Sequence, residues 1–148
     1  MTLRGTVDTT LDVKNRITIP AKQRRHLEDG VVVAKQPDAE RCVSIWRTDD
    51  FDAHVQAVLA DKELLSPDRV ALERYFYAHS TELELDAAGR VMLPAKLLEE
   101  AGLDREVTLI GVGNRFEVWD REAWRRSSGE IFNTVKGIGP GRSNGHTA

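Results

Sequence analysis

The chain has one cysteine, Cys42, so neither an intrachain disulfide nor a thiolate-rich metal cluster can be built from it. No run approaches the roughly 18 consecutive apolar residues that a membrane helix needs. The opening "MTLRGTVDTTLDVKNR" has no apolar signal-peptide core. A cytoplasmic protein is expected. Catalytic signatures are equally scarce. His26, His54, His79 and His146 are scattered, with no HExxH or paired-ligand spacing. No Walker-type phosphate loop occurs, and "GVGNRF" at 111–116 lacks the third glycine of a dinucleotide fingerprint. Glu82 and Glu84 share one face of a strand and read as edge-strand charge rather than an acid/base pair. Cys42 has no nearby histidine in sequence and reads as a small core or edge residue. These absences point away from an enzyme. No cofactor, metal or small-molecule substrate is expected.

A length of 148 residues fits one ordinary domain or two very small ones. The net charge of −3 conceals an asymmetry: residues 1–26 carry +4 and the remainder −7. Arg4, Lys14, Arg16, Lys22, Arg24 and Arg25 stand there against only Asp8 and Asp12. A local field of that kind, more than net charge, decides whether a polyanion is attracted.

What the chain has in abundance is itself. "LDVKNRITIPAKQR" begins at Leu11 and "LDAAGRVMLPAKLL" at Leu85. Asp12, Arg16, Pro20, Ala21 and Lys22 recur 74 residues later as Asp86, Arg90, Pro94, Ala95 and Lys96. Trp46 and Phe51 recur 73 residues later as Trp119 and Trp124. The similarity spans about 45 residues per copy, which marks a duplicated structural unit.

Each unit reads as strand, tight turn, strand, short helix, strand, strand. Val7, Thr9, Leu11 and Val13 alternate, as do Ile17 and Ile19, giving period-two strands with one buried face. Asn15 and Gly89 mark the turns, since both residue types tolerate positive φ. Pro20 and Pro94 end the second strand and suit the first turn of a helix. The helices "AKQRRHLEDG" and "AKLLEEAG" end at Gly30 and Gly102, positions for left-handed caps. Gly113-Asn114 is the expected turn of the last hairpin. Trp119, Asp120 and Trp124 have the spacing of a capped, stapled helix start; in the first copy the cap is expected at Thr48. The aromatics read as core. Between the copies, Phe51, Val55, Val58 and Leu59 form one helical stripe, and Ala71, Leu72, Tyr75 and Phe76 a second, opened by Ser66-Pro67.

One 45-residue unit is too small for a self-sufficient core, so the two copies are expected to complete each other as an intramolecular pseudo-dimer. The expected organisation is module 1 at 5–49, a helical connector at 50–77, module 2 at 78–122, a C-terminal helix at 123–132 and a disordered tail at 133–148.

Asp12 and Arg16 sit on opposite arms of a tight turn, and two roles suit them equally: an ion-pair clamp on the turn, or a rigid presentation of cations at its tip. Arg matches guanine O6 and N7 bidentately and Lys matches phosphate, while a two-stranded ribbon fits the major groove. Lys14, Lys22, Arg24 and Arg25 favour DNA for the first copy. The second turn, "DAAGR", keeps Asp86 and Arg90 but has no lysine, so it reads as the more structural of the two.

Together with "LIGVGNRFEVWD", the paired Asp–x3–Arg turns resemble the bacterial MraZ family, built of two tandem SpoVT–AbrB-type modules, across about residues 3–126. The resemblance implies an α+β, mainly β fold, with swapped-hairpin (double-split β-barrel) modules and short covering helices. It also implies a ring-shaped homo-oligomer, associated with the nucleoid, that binds repeated boxes of double-stranded promoter DNA upstream of the division and cell-wall gene cluster. The DNA-contacting turn then maps to Lys14, Asn15 and Arg16, with Lys22 and Arg90 as further contacts and Asp12 and Asp86 as turn clamps. Asn15 departs from the glycine usual in that family. The glycine-rich segment after residue 129 has no counterpart role. The competing expectation is an oligomeric protein-interaction scaffold on the same barrel, without specific DNA binding.

Overall fold

The computed structural model describes residues 2–37 and 41–138. Within them the chain runs β1 (Thr6–Thr10), β2 (Arg16–Thr18), a 3-10 helix (Ala21–Leu27), β3 (Val31–Ala34) and β4 (Cys42–Arg47). The helices α1 (Thr48–Leu59) and α2 (Pro67–Ala78) follow. The second copy supplies β5 (Ser80–Leu83), β6 (Arg90–Met92), α3 (Ala95–Ala101), β7 (Glu106–Gly111), β8 (Arg115–Asp120) and α4 (Arg121–Ile138). The fold is α+β.

Six strands form one antiparallel sheet in the order β1-β7-β8-β4-β3-β5, and β2 pairs with β6 as a separate ribbon. Exchanging each strand for its repeat counterpart reverses that order without changing it. The pseudo-twofold axis passes between β4 and β8, where Cys42 faces Trp119 and Trp46 faces Arg115. Each copy's first strand pairs with the other copy's third: β1 with β7, and β5 with β3. Neither copy closes its own sheet. The pseudo-dimer expected from the repeat is therefore built by strand exchange.

The two expected modules form without closing into a barrel. Among the described residues the strands make an open sheet whose edges are β1 and β5, and the three-residue strands β2 and β6 pair as strands only with each other. Side chains join the two layers instead of a ladder. Ile17, Ile19, Val91 and Leu93 of the ribbon segments are fully buried in one cluster with Val43, Ile45, Phe116 and Val118 of the sheet. A second cluster holds Val32, Ala34 and Trp46 with Phe51, Val55 and Leu59 of α1 and Phe76 of α2.

Several local expectations change. Of Val7, Thr9, Leu11 and Val13 only Leu11 is buried; Val7 and Val13 are exposed. β1 is an edge strand that ends at Thr10, which leaves Val13 in the turn. The first-copy helix is 3-10 and buries only Leu27, whereas its counterpart α3 buries Leu97, Leu98 and Ala101. With so little apolar face, packing has less to hold a full α-turn against. Gly102 caps α3 at φ 67, but Gly30 at φ 121 is not a left-handed cap. Residue Arg47, not Thr48, is the N-cap of α1, and it makes no side-chain cap bond. The apolar staple survives without it, with Trp46 and Phe51 edge to face at 5.7 Å. Trp119 and Trp124 repeat that contact at 5.5 Å, and Asp120 Oδ2 accepts from the Ala123 N–H. Ser66 caps α2 as expected. α4 runs on to Ile138, so residues 133–138 are helix rather than tail; the rest of that segment, 139–148, lies outside the described residues.

Candidate nucleic-acid interface

Three residues between Asp and Arg let one carboxylate serve both arms of the turn. Asp12 Oδ1 accepts the backbone N–H groups of Lys14 and Arg16, each at 2.9 Å, while Oδ2 accepts from Arg16 Nε at 2.7 Å. Asp86 repeats the pattern with Ala88 and Arg90 at 3.0 and 2.9 Å and with Arg90 Nε at 2.8 Å. Asn15 and Gly89 hold φ at 61 and 77, closing each turn through the left-handed region. The Arg16 backbone N–H, followed by its guanidinium and the Lys14 N–H, outweighs partial desolvation and holds the Asp12 carboxyl down at about 2. Asp86 is lowered in the same way, chiefly by the Arg90 backbone N–H.

Strand pairing brings the two turns together. The Leu93 N–H donates to the Asn15 carbonyl at 2.8 Å and the Ile19 N–H to the Gly89 carbonyl at 2.9 Å. Arg16 Nη1 stands 3.6 Å from Asp86 Oδ2, and Arg90 Nη1 stands 3.9 Å from Asp12 Oδ2. The four charged groups form a crossed network with no net charge.

Further cations surround it. Lys14 is exposed at the first turn. Arg105 Nη1 donates to the Leu11 and Asp12 carbonyls that enter that turn. Arg24 donates through Nε to the Ile19 carbonyl and lies across Gly89, where a Cβ would come within 2.2 Å of it. Arg24 and Arg25 line an open groove of about 430 Å³ beside Asp86, Ala87 and Gly89. The second turn is thus not without cationic company, as its own sequence suggests. The first copy's 3-10 helix supplies it.

The match to other proteins covers almost all of this framework. A family model described as "MraZ protein, putative antitoxin-like" matches residues 2–74 and 76–134, one stretch for each copy. The chain belongs to the MraZ family. It is 36% identical over 126 residues to the Transcriptional regulator MraZ of Thermoanaerobacter pseudethanolicus, covering 85% of this chain and 86% of that one. The protein of the same name from Lactiplantibacillus plantarum is 38% identical over 122 residues, with 82% and 84% covered. That from Salinispora tropica is 36% identical over 141 residues, with 93% and 97% covered.

Within this MraZ-family fold, Asp12, Lys14, Asn15, Arg16, Asp86 and Arg90 come together at the paired turns. Lys22 is exposed on the 3-10 helix, and its counterpart Lys96 is exposed on α3. Arg16 serves the expected clamp: its side chain is 26% exposed and its Nε is committed to Asp12. The outward cation of that turn is Lys14. Arg24 was visible in the basic run, though not the turn it would attend. Arg105 carried no signal, since it reaches the turn from 93 residues away. Cys42 is buried in the sheet. No helix among the described residues is long and apolar enough to cross a membrane.

Proposed function

We propose that this protein is a sequence-specific DNA-binding transcriptional regulator, read as a repressor of the division and cell-wall gene cluster. It binds repeated promoter boxes through the first-copy turn, as a ring-shaped homo-oligomer. The observation that carries this reading is the paired ribbon: two clamped turns side by side, flanked by Lys14, Arg24, Arg25 and Arg105. Relatives spanning more than four-fifths of the chain bear the name transcriptional regulator, which supports the same reading.

The physical roles divide cleanly. Asp12–Arg16 and Asp86–Arg90 cancel one another's charge and hold the turns rigid, so little ordering cost remains when the ribbon enters a groove. Lys14 and the surrounding arginines meet phosphate, which supplies salt-dependent affinity, and the remaining guanidinium N–H donors reach base edges. A single chain offers few such contacts. Several chains facing spaced boxes gain by effective concentration.

The test is binding of the full chain to duplexes from its own upstream region carrying one, two or three boxes. The three-box duplex should bind at least tenfold more tightly than the one-box duplex; equal affinities would rule out the avidity mechanism. Arg16→Ala should lose binding together with turn stability, because the Asp12 carboxylate loses its cation. Lys14→Ala should weaken binding with an unchanged thermal melt. A scaffold that does not read DNA would show no sequence preference and no effect of Lys14→Ala.

A further inference from the structure

α1 and α4 are counterparts in the repeat, yet only one is covered. α1 buries Phe51, Val55 and Leu59, and α2 contributes Phe76 to the same cluster. α4 buries only Ala123, and no second helix follows it among the described residues. Ile131, Phe132, Val135 and Ile138 are 44–66% exposed. Ile131, Val135 and Ile138 follow a four–three spacing, the pattern of a helix–helix seam, with Phe132 beside it. Residues 129–138 project about 15 Å and every one is exposed. Gly129 and Gly137 lie within that stretch and weaken it. A bare helical arm of this length is marginal in water. Residues 139–148, "GPGRSNGHTA", contain no large apolar side chain to cover the stripe.

A second apolar surface stands at the α1–α2 turn. Leu64 and Leu65 are 73% and 79% exposed. Leu65 has φ 68, a conformation disfavoured for a bulky L-residue. The turn is nonetheless firmly held. The Lys62 N–H bonds to the Leu59 carbonyl, the Ser66 N–H bonds to the Glu63 carbonyl, and Arg69 Nη1 donates to the Leu59 and Lys62 carbonyls at 3.2 and 3.1 Å. A disfavoured backbone at Leu65, with both leucines in solvent, makes this turn a candidate contact surface. Charge matches the two surfaces: residues 61–68, "DKELLSPD", carry −2, and residues 125–138, "RRSSGEIFNTVKGI", carry +2.

We propose that α4 of one copy docks on the α1–α2 turn of a second copy, its Ile131–Val135–Ile138 stripe against Leu64 and Leu65. In trans, the turn gives α4 the helical cover that α2 gives α1 in cis. The two surfaces differ, so the contact is head to tail and passes from copy to copy, closing as a ring where the rotation permits. This inference rests on the reading of the protein as a homo-oligomer, and it identifies the surfaces that would make one.

The experiment uses the full chain. Cys42 is buried, so introduced cysteines are the accessible thiols. Leu65→Cys and Val135→Cys chains, carrying different tags, are co-expressed and oxidised mildly, and light scattering is run on the uncrosslinked proteins. The expected result is a disulfide between the two differently tagged chains. The Val135→Glu/Ile138→Glu variant and, separately, Leu65→Gly should fall from the oligomer to the 16.6 kDa chain with their circular dichroism retained. Crosslinking of Val135→Cys only to itself would overturn the proposal in favour of α4–α4 pairing. An oligomer whose mass none of these substitutions changes would overturn the interface and leave the homo-oligomer reading standing. A wild-type chain that is monomeric at every concentration would overturn both.

Discussion

The two turns have the same skeleton and different company. Corresponding clamp bonds agree within 0.1 Å, although one turn carries Lys14-Asn15 and the other Ala88-Gly89. The clamp is therefore a device of the fold, indifferent to what stands at the tip. The surrounding cations cross between copies: the first copy's Arg24 and Arg25 attend the second turn, and the second copy's Arg105 attends the first. The helices teach the reverse lesson. α1 and α4 begin with the same aromatic staple but end in different surroundings, one under α2 and one in solvent.

That contrast can be broken most forcefully at the helices. Leu59→Ala removes a buried side chain of α1 and should cost about 2–5 kcal/mol in urea unfolding. Its counterpart Phe132→Ala, in a dilute sample below any association, should change stability by less than about 0.5 kcal/mol. Comparable losses would mean that α4 is covered within the single chain. The turns give a smaller difference. Gly89→Ala introduces a Cβ at positive φ against the Arg24 side chain and should cost about 1–2 kcal/mol. Asn15→Gly, at a φ that glycine adopts freely, should stay within about 0.5 kcal/mol.

The smallest expected effect is with pH. Asp12 titrates lower in the folded chain, at about 2, than the roughly 3.9 of an unfolded aspartate. Its contribution is complete above the unfolded value and disappears as pH falls from about 4 through about 2. Asp12→Asn should flatten the acid limb of the thermal-melt profile in that window. The same slope in the variant would show that the carboxylate is not held by the turn. Asp86→Asn should act in the same direction.

The duplication was readable because two copies kept the same phrase at a constant shift, and a phrase that recurs with its spacing must recur as structure. Positive φ at Asn15 and Gly89, the Gly102 and Ser66 caps and the burial of Trp46 followed from residue chemistry alone. Other features depended on partners distant in sequence. Val7 reads as a buried strand residue until β1 is found at the sheet edge. The open sheet with a separate ribbon depends on which strands pair across the pseudo-axis, and a local pattern does not encode that. Arg16 shows the same limit at the site: the clamp was legible, but its crossed contact with Asp86 required the second turn to lie beside the first. Arg105 was invisible for the same reason.

The central claim is that the paired ribbon meets DNA through cations standing around two neutralised clamps. It is tested most directly by the salt dependence of binding to upstream duplex for wild type, Lys14→Ala and Ala88→Lys, the last giving the second turn the lysine of the first. The slope of log affinity against log salt should become shallower by about one for each Lys14 lost at the DNA and steeper when Ala88→Lys adds a contact. Three identical slopes, with wild-type affinity throughout, would contradict it.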